Sequence, residues 1–109
     1  MRLSIVFFLL LTFTSCTKDK TADPECETPI SFSQEVMPMI QTNCVGCHNG
    51  GQPPNLTTHA SISASAENIL ARISLNEGDA LLMPQGGPRF NQDSIRKIKC
   101  WIEQGKLDN

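Results

Sequence analysis

Apolar residues gather in four places along this chain, and only one of them is a continuous run. Leu3 to Phe13 is apolar save for Ser4 and Thr12, follows Arg2, and is closed by Lys18, Asp19 and Lys20. So short a run does not span a hydrocarbon layer of ~30 Å. With its positive start and the small residues Thr14 and Ser15, it predicts a secretory signal over residues 1–15, the alternatives being an uncleaved anchor or a buried helix. Beyond it, apolar positions fall at helical spacing. Phe32, Val36 and Ile40 share one face of a first helix over residues 31–43, with Ser31 or Ser33 as cap and Pro38 as a kink or break. Ile69, Leu70 and Ile73, together with Ala66, mark a second, capped by Ser63 or Ser65 and ended by Asn76-Glu77-Gly78. Ile95, Ile98, Trp101 and Ile102 make the stripe of a third, which Asn91 caps, Asp93 opens and Gly105 stops. Lys97 and Lys99 bracket its solvated side.

Between the helices lie "NGGQPPNLTTHA" (49–60) and "EGDALLMPQGGPRF" (77–90), too rich in glycine and proline to be helical throughout. No segment alternates as a strand does, so the class is all-α with long loops. Loops of that length in a compact domain usually wrap something. About 75 residues, from Ser31 to Gly105, form one small domain, short of the size at which an apolar core alone is secure. Something should staple it. Residues 16–30 are polar, carry Pro24 and Pro29, and read as a flexible tether before a domain at 31–109. From Thr17 onward eight Lys and Arg face eleven Asp and Glu, and no basic patch is dense enough for nucleic acid.

The chemistry is concentrated in "NCVGCHNGG", residues 43–51. Cys-x-x-Cys-His admits three uses. A redox dithiol opens a helix that follows a strand, where the helix dipole lowers the first thiol's pKa; here the motif ends a helix. A structural zinc site needs four ligands, which Cys44, Cys47, His48 and His59 could supply only awkwardly, since Cys47 and His48 are adjacent. Covalent haem attachment uses the spacing directly. Two thiols add to vinyl groups on neighbouring pyrroles, and the next residue places an imidazole on the iron. Export before attachment fits the leader.

At this point the chain resembles a small class I c-type cytochrome, of the kind carried as a single domain on bacterial lipoproteins. The resemblance covers residues 31 to about 107 and rests on "CVGCH", "PPNL", "LLMP" and the last helix with Trp101. It implies a cytochrome c fold of three to four short helices and long loops wrapped around one haem c. Cys44 and Cys47 would carry the thioethers and His48 would be the proximal ligand. The Pro54 carbonyl would accept the other imidazole N–H, fixing the tautomer, and Leu56 would pack on the haem. The first and last helices would cross, Phe32 and Val36 against Ile98 and Trp101. The residues before Cys16 are similar to a lipobox, with Phe13 where leucine is usual. By that resemblance Cys16 is lipidated, and Thr17-Lys18-Asp19 is similar to the export signal on surface lipoproteins of Bacteroidota. If lipid takes Cys16 and thioethers take Cys44 and Cys47, then Cys26 and Cys100 remain, to pair as a disulfide or to stand as an exposed and a buried thiol.

Candidates for the sixth ligand are Met37, Met39, Met83 and His59. The first two lie on the helix leading into the motif. Met83 precedes Pro84, which stiffens the loop, and matches the distal methionine of the resembled family; its alternative role is a gap-filling side chain. His59 reads as a loop histidine on the surface. A His/Met pair leaves no open position and favours ferrous iron. The expectation is therefore an electron carrier and not an enzyme, lipid-anchored to a membrane of the cell envelope, on its periplasmic side or outer surface. Its partners would be a redox donor and acceptor there. The alternatives are a peroxidase-like or gas-binding site with an open sixth position, a subunit docked to a larger oxidoreductase, and a haem that is mainly a structural staple. Arg89 is the only basic residue near Met83 in the sequence.

Overall fold

A computed structural model describes residues 24–109; the expectations placed on the leader and on Cys16 lie outside them. A 3₁₀ turn, Pro24–Cys26, leads to a π-helical turn, Phe32–Val36, that runs into α1 (Met37–Asn43); α2 (His59–Ile73) and α3 (Gln92–Glu103) follow. Among the described residues there is no strand, so the domain is all-α.

Each helix boundary has a local cause. Pro38 has no N–H to give the Gln34 carbonyl, and its ring would crowd that oxygen in a continuous α-helix. The chain widens just upstream instead. The Glu35 and Val36 N–H groups both donate to the Ser31 carbonyl, at 3.0 and 3.3 Å, and the Met37 N–H reaches back to Phe32 O. Pro38 thereby sits in the first turn of α1, where a missing donor costs nothing. The predicted break is a π turn before the proline. Ser31 caps it, its hydroxyl accepting the Gln34 N–H at 3.2 Å.

The second helix begins earlier than its serines suggest. Thr58 is its cap: Thr58 Oγ1 accepts the Ser61 N–H at 3.2 Å and Ser61 Oγ accepts the Thr58 N–H at 3.3 Å. This reciprocal box starts α2 at His59, so Ser63 and Ser65 lie inside the helix, and Ile62 joins the buried face. In α3, Asn91 Oδ1 accepts the Ser94 N–H at 2.8 Å. The helix closes on Gly105 at φ +100°, with Gly105 N–H to Ile102 O and Lys106 N–H to Trp101 O. That double closure needs a left-handed residue, which glycine adopts without strain.

The core is built where the π turn and α2 meet α3. Trp101 is 1% exposed. Its ring stacks on Phe32 at 5.5 Å between centroids, and its Nε1–H donates to Leu107 O at 2.9 Å. Val36, Ile40, Ile62, Ala66, Ile73 and Ile98 complete the centre, with Leu56 and Phe90 entering from loops. Cys100 is fully buried, while Ile95 and Ile102 of the predicted stripe are only half-buried, because the stripe turns toward a disulfide.

That disulfide joins Cys26 to Cys100. Around it, Gln104 binds the incoming chain on both faces of its amide. Nε2 donates to Cys26 O at 3.0 Å and Thr28 O at 2.9 Å, and Oε1 accepts the Ile30 N–H at 2.8 Å. Ile30 is buried. Residues 24–30 are therefore docked on the domain and not part of a flexible tether. Their polar composition conceals two anchors, Cys26 and Ile30, and a side chain that satisfies their backbone. The solvated side of α3 also differs in detail: Lys97 pairs with Glu35 and Asp93, and Lys99 with Glu25. Such half-exposed pairs contribute little to stability.

Candidate cofactor site

α1 delivers the chain to the Cys-x-x-Cys-His segment without a break. The Cys44 and Val45 N–H groups donate to Ile40 O at 2.8 and 3.1 Å. Cys44 O then accepts from the Cys47 and His48 N–H groups, at 3.2 and 2.8 Å. This tight turn places Cys44, Cys47 and His48 on the wall of one cavity of about 570 Å³. A volume of that size lies within the ~300–1,000 Å³ of small-molecule and cofactor sites.

The orientation of His48 is decided by backbone carbonyls. Its Nδ1 lies 3.1 Å from Pro54 O and 3.2 Å from Gln52 O. A carbonyl oxygen only accepts, so Nδ1 carries the proton, and in the neutral imidazole Nε2 keeps its lone pair. The loop that supplies these oxygens is folded back by the Leu56 N–H, which donates to His48 O at 2.8 Å. Leu56 is 2% exposed, and Pro54 and Leu56 both line the cavity. The short spacing from His48 to the proline suffices because the glycines let the chain reverse at once; Gly50 sits at φ +115°.

The rest of the wall comes from α2, through Ile69, Arg72 and Ile73, and from the α2–α3 loop, through Leu81, Met83 and Pro84. Of the four candidate sixth ligands, Met83 alone lines the cavity with His48. Met37 and Met39 pack against the core. His59 is not a surface loop residue. It is the first residue of α2, its Nε2 lies 2.8 Å from Lys106 O, and its ring meets Phe32 edge-on at 4.7 Å. It belongs to the aromatic core around Trp101, away from Cys44, Cys47 and His48.

Among protein families, curated proteins and solved structures, none matches this chain. The site has to be read from its own residues. Among those described, no three His, Cys, Asp or Glu side chains gather as a metal-binding group. A zinc cage of Cys44, Cys47, His48 and His59 therefore has no basis in the geometry. The redox dithiol fares no better. Cys44 is the C-cap of α1, at the end of the helix where the dipole disfavours a thiolate. Burial also pushes the Cys44 thiol up from 9.0 to about 11.

That shift has a direct reading in the chain with free thiols. At pH 8 only about one Cys44 thiol in a thousand is ionised. Iodoacetamide should modify the exposed Cys47 first and leave Cys44 intact, with Cys44 labelling rising as pH approaches 11. The folded pKa lies above the ordinary one, so the stability that goes with a protonated Cys44 is full below pH 9 and lost as pH rises through about 11. Equal labelling of both cysteines at pH 8, followed by mass spectrometry of the peptides, would contradict this.

Proposed function

We propose that this chain is a membrane-tethered electron carrier of the cytochrome c fold, with one covalent haem c held between His48 and Met83. The observation that carries the reading is the His48 side chain. Two carbonyls hold its Nδ1–H and leave Nε2 as a ligand, in the cavity that Cys44, Cys47 and Met83 also line. The donor set suits haem: Cys44 and Cys47 would hold it covalently, and His48 and Met83 would ligate its iron. The two free thiols would each be consumed by addition across a vinyl group, sulfur to one carbon and hydrogen to the other, a step that needs no oxidant. When bound, haem c supplies a one-electron couple at its iron.

The protein's own residues do the rest. Pro54 and Gln52 fix the imidazole tautomer and raise its basicity as a ligand. The Met83 thioether is soft and neutral and favours the ferrous state. Leu56, Ile69 and Ile73 give the cavity an apolar wall that keeps water out, while Cys47, Pro53 and Leu81 are exposed at its rim. A donor and an acceptor of the cell envelope would meet the carrier at that rim, and a lipidated Cys16 would hold it at the membrane.

A redox titration of the matured protein, followed in the visible spectrum, tests the reading. The expected result is one reversible one-electron couple between low-spin ferric and ferrous forms. The ferric form should show the weak long-wavelength band of methionine-bound iron. Absence of a reversible couple would reject the carrier. A high-spin ferric spectrum that shifts with peroxide or carbon monoxide would move an open-site enzyme or sensor to the front.

A further inference from the structure

Met83 sits in a long loop, and little of the loop's own backbone holds it there. Its N–H donates to Arg72 O at 3.3 Å, a long bond. The preceding residues are turned by Asp79, whose Oδ1 accepts the Leu81 N–H at 2.8 Å and whose carbonyl accepts the Leu82 N–H at 3.1 Å. The loop is closed at its base by a side chain with no part in the proposed ligation. Arg89 Nε donates to Leu75 O at 3.0 Å, and Nη2 to Ser74 O at 3.4 Å. Ser74 is the C-cap of α2, so the guanidinium answers the C-cap carbonyl and the one that follows it, at the helix's negative end. The clamp joins positions 14 residues apart and encloses Met83 within the ring so formed. A Cβ on Gly87, two residues before Arg89, would lie 3.3 Å from Pro84 Cβ, so the returning chain passes the residue next to Met83 with little room for a side chain between them.

We propose that Arg89 is a positioning residue for Met83: by closing the α2–α3 loop on the end of α2, it holds the thioether in ligating range. The proposal rests on the axial role given to Met83 above. Two donors in a fixed fork make the clamp; lysine brings three donors on one freely rotating nitrogen and cannot reproduce the fork's geometry. Without it the loop samples more conformations, the ligating one is less populated, and an added ligand competes better for the iron.

The test is an imidazole titration of the ferric, matured full chain in five forms: wild type, Arg89→Ala, Arg89→Lys, Met83→Ala, and the Arg89→Ala/Met83→Ala double variant. Thermal melts are run alongside. Arg89→Ala should bind imidazole roughly tenfold more tightly than wild type, with a weakened long-wavelength band. Arg89→Lys should fall between the two. In the Met83→Ala background, loss of Arg89 should change the affinity by less than about twofold, because an effect transmitted through Met83 vanishes with it. An Arg89→Ala affinity within about twofold of wild type, while Met83→Ala still binds far more tightly, would overturn the role of Arg89 and leave Met83 ligation standing. A full Arg89 effect in the Met83→Ala background would also overturn it, since the residue would then act on general stability. A wild type without the band, and with the same affinity as Met83→Ala, would remove the ligation and this proposal together. Should Arg89→Ala fail to mature, Arg89→Lys decides: about threefold tighter binding supports the clamp, and unchanged binding rejects it.

Discussion

Met83→Ala is expected to abolish the long-wavelength band of the ferric protein, lower its midpoint potential and admit added ligands to the iron. A thioether on the iron would favour the ferrous over the ferric state, so its removal should stabilise the ferric form. Axial ligation commands a span of ~0.8 V among haem proteins, and the fall should be a sizeable part of it. The fold should survive. Met83 is half-buried at the cavity wall, and the ties that shape its loop use Asp79, Arg89 and backbone groups, not its sulfur. Met37→Ala and Met39→Ala are the controls. Both side chains pack against the core outside the cavity, so their loss should lower stability and leave the spectrum alone. Persistence of the band in Met83→Ala, or its loss in either control, would assign the sixth ligand elsewhere.

What the sequence made legible follows from how local each signal is. α3 could be read almost to the residue, because Asn91, its apolar spacing and Gly105 each act within one turn of where they stand. Ser31 and Pro38 announced the first helix in the same way, although only the widened turn tells how the proline is absorbed. The start of α2 was missed because Ser63 and Ser65 are also good caps. What decides for Thr58 is its reciprocal bond with Ser61, together with Ile62 at helical spacing from Ala66, Ile69 and Ile73. Cys44, Cys47 and His48 were legible as a unit because they stand within five residues of one another, and the turn that joins them brings all three to one cavity wall. The Pro54 carbonyl was suggested only by resemblance, since a backbone acceptor leaves no mark in a side-chain pattern. Nothing marked Arg89 as a clamp, because its partners are carbonyl oxygens 14 and 15 residues away. Long-range backbone satisfaction also explains why Gln104 and the docking of residues 24–30 went unseen.

Removing the Cys26–Cys100 bridge should cost about 4 kcal/mol of folding stability while leaving the site intact. The bonded cysteines are 74 residues apart, so the bridge closes most of the described chain into one loop and restricts the unfolded ensemble accordingly; chain-entropy scaling gives ~4 kcal/mol at that length. A domain of this size commands only ~4–13 kcal/mol in all, so the effect is a large fraction of the whole. In Cys26→Ala/Cys100→Ala, or after reduction, the urea midpoint should drop by roughly 2–4 M. Alanine is the better probe at position 100, since Cys100 is fully buried and a serine hydroxyl there would add an unsatisfied polar group. Neither cysteine lines the cavity, so below the new midpoint the spectrum and potential should match wild type. Gln104→Ala separates the two devices that dock residues 24–30. It removes three hydrogen bonds to Cys26, Thr28 and Ile30 but leaves the loop closed, so its cost should be smaller and should persist in the unbridged variant. A midpoint shift below about 1 M on losing the bridge would mean that covalent haem attachment, not the disulfide, already restrains the unfolded chain.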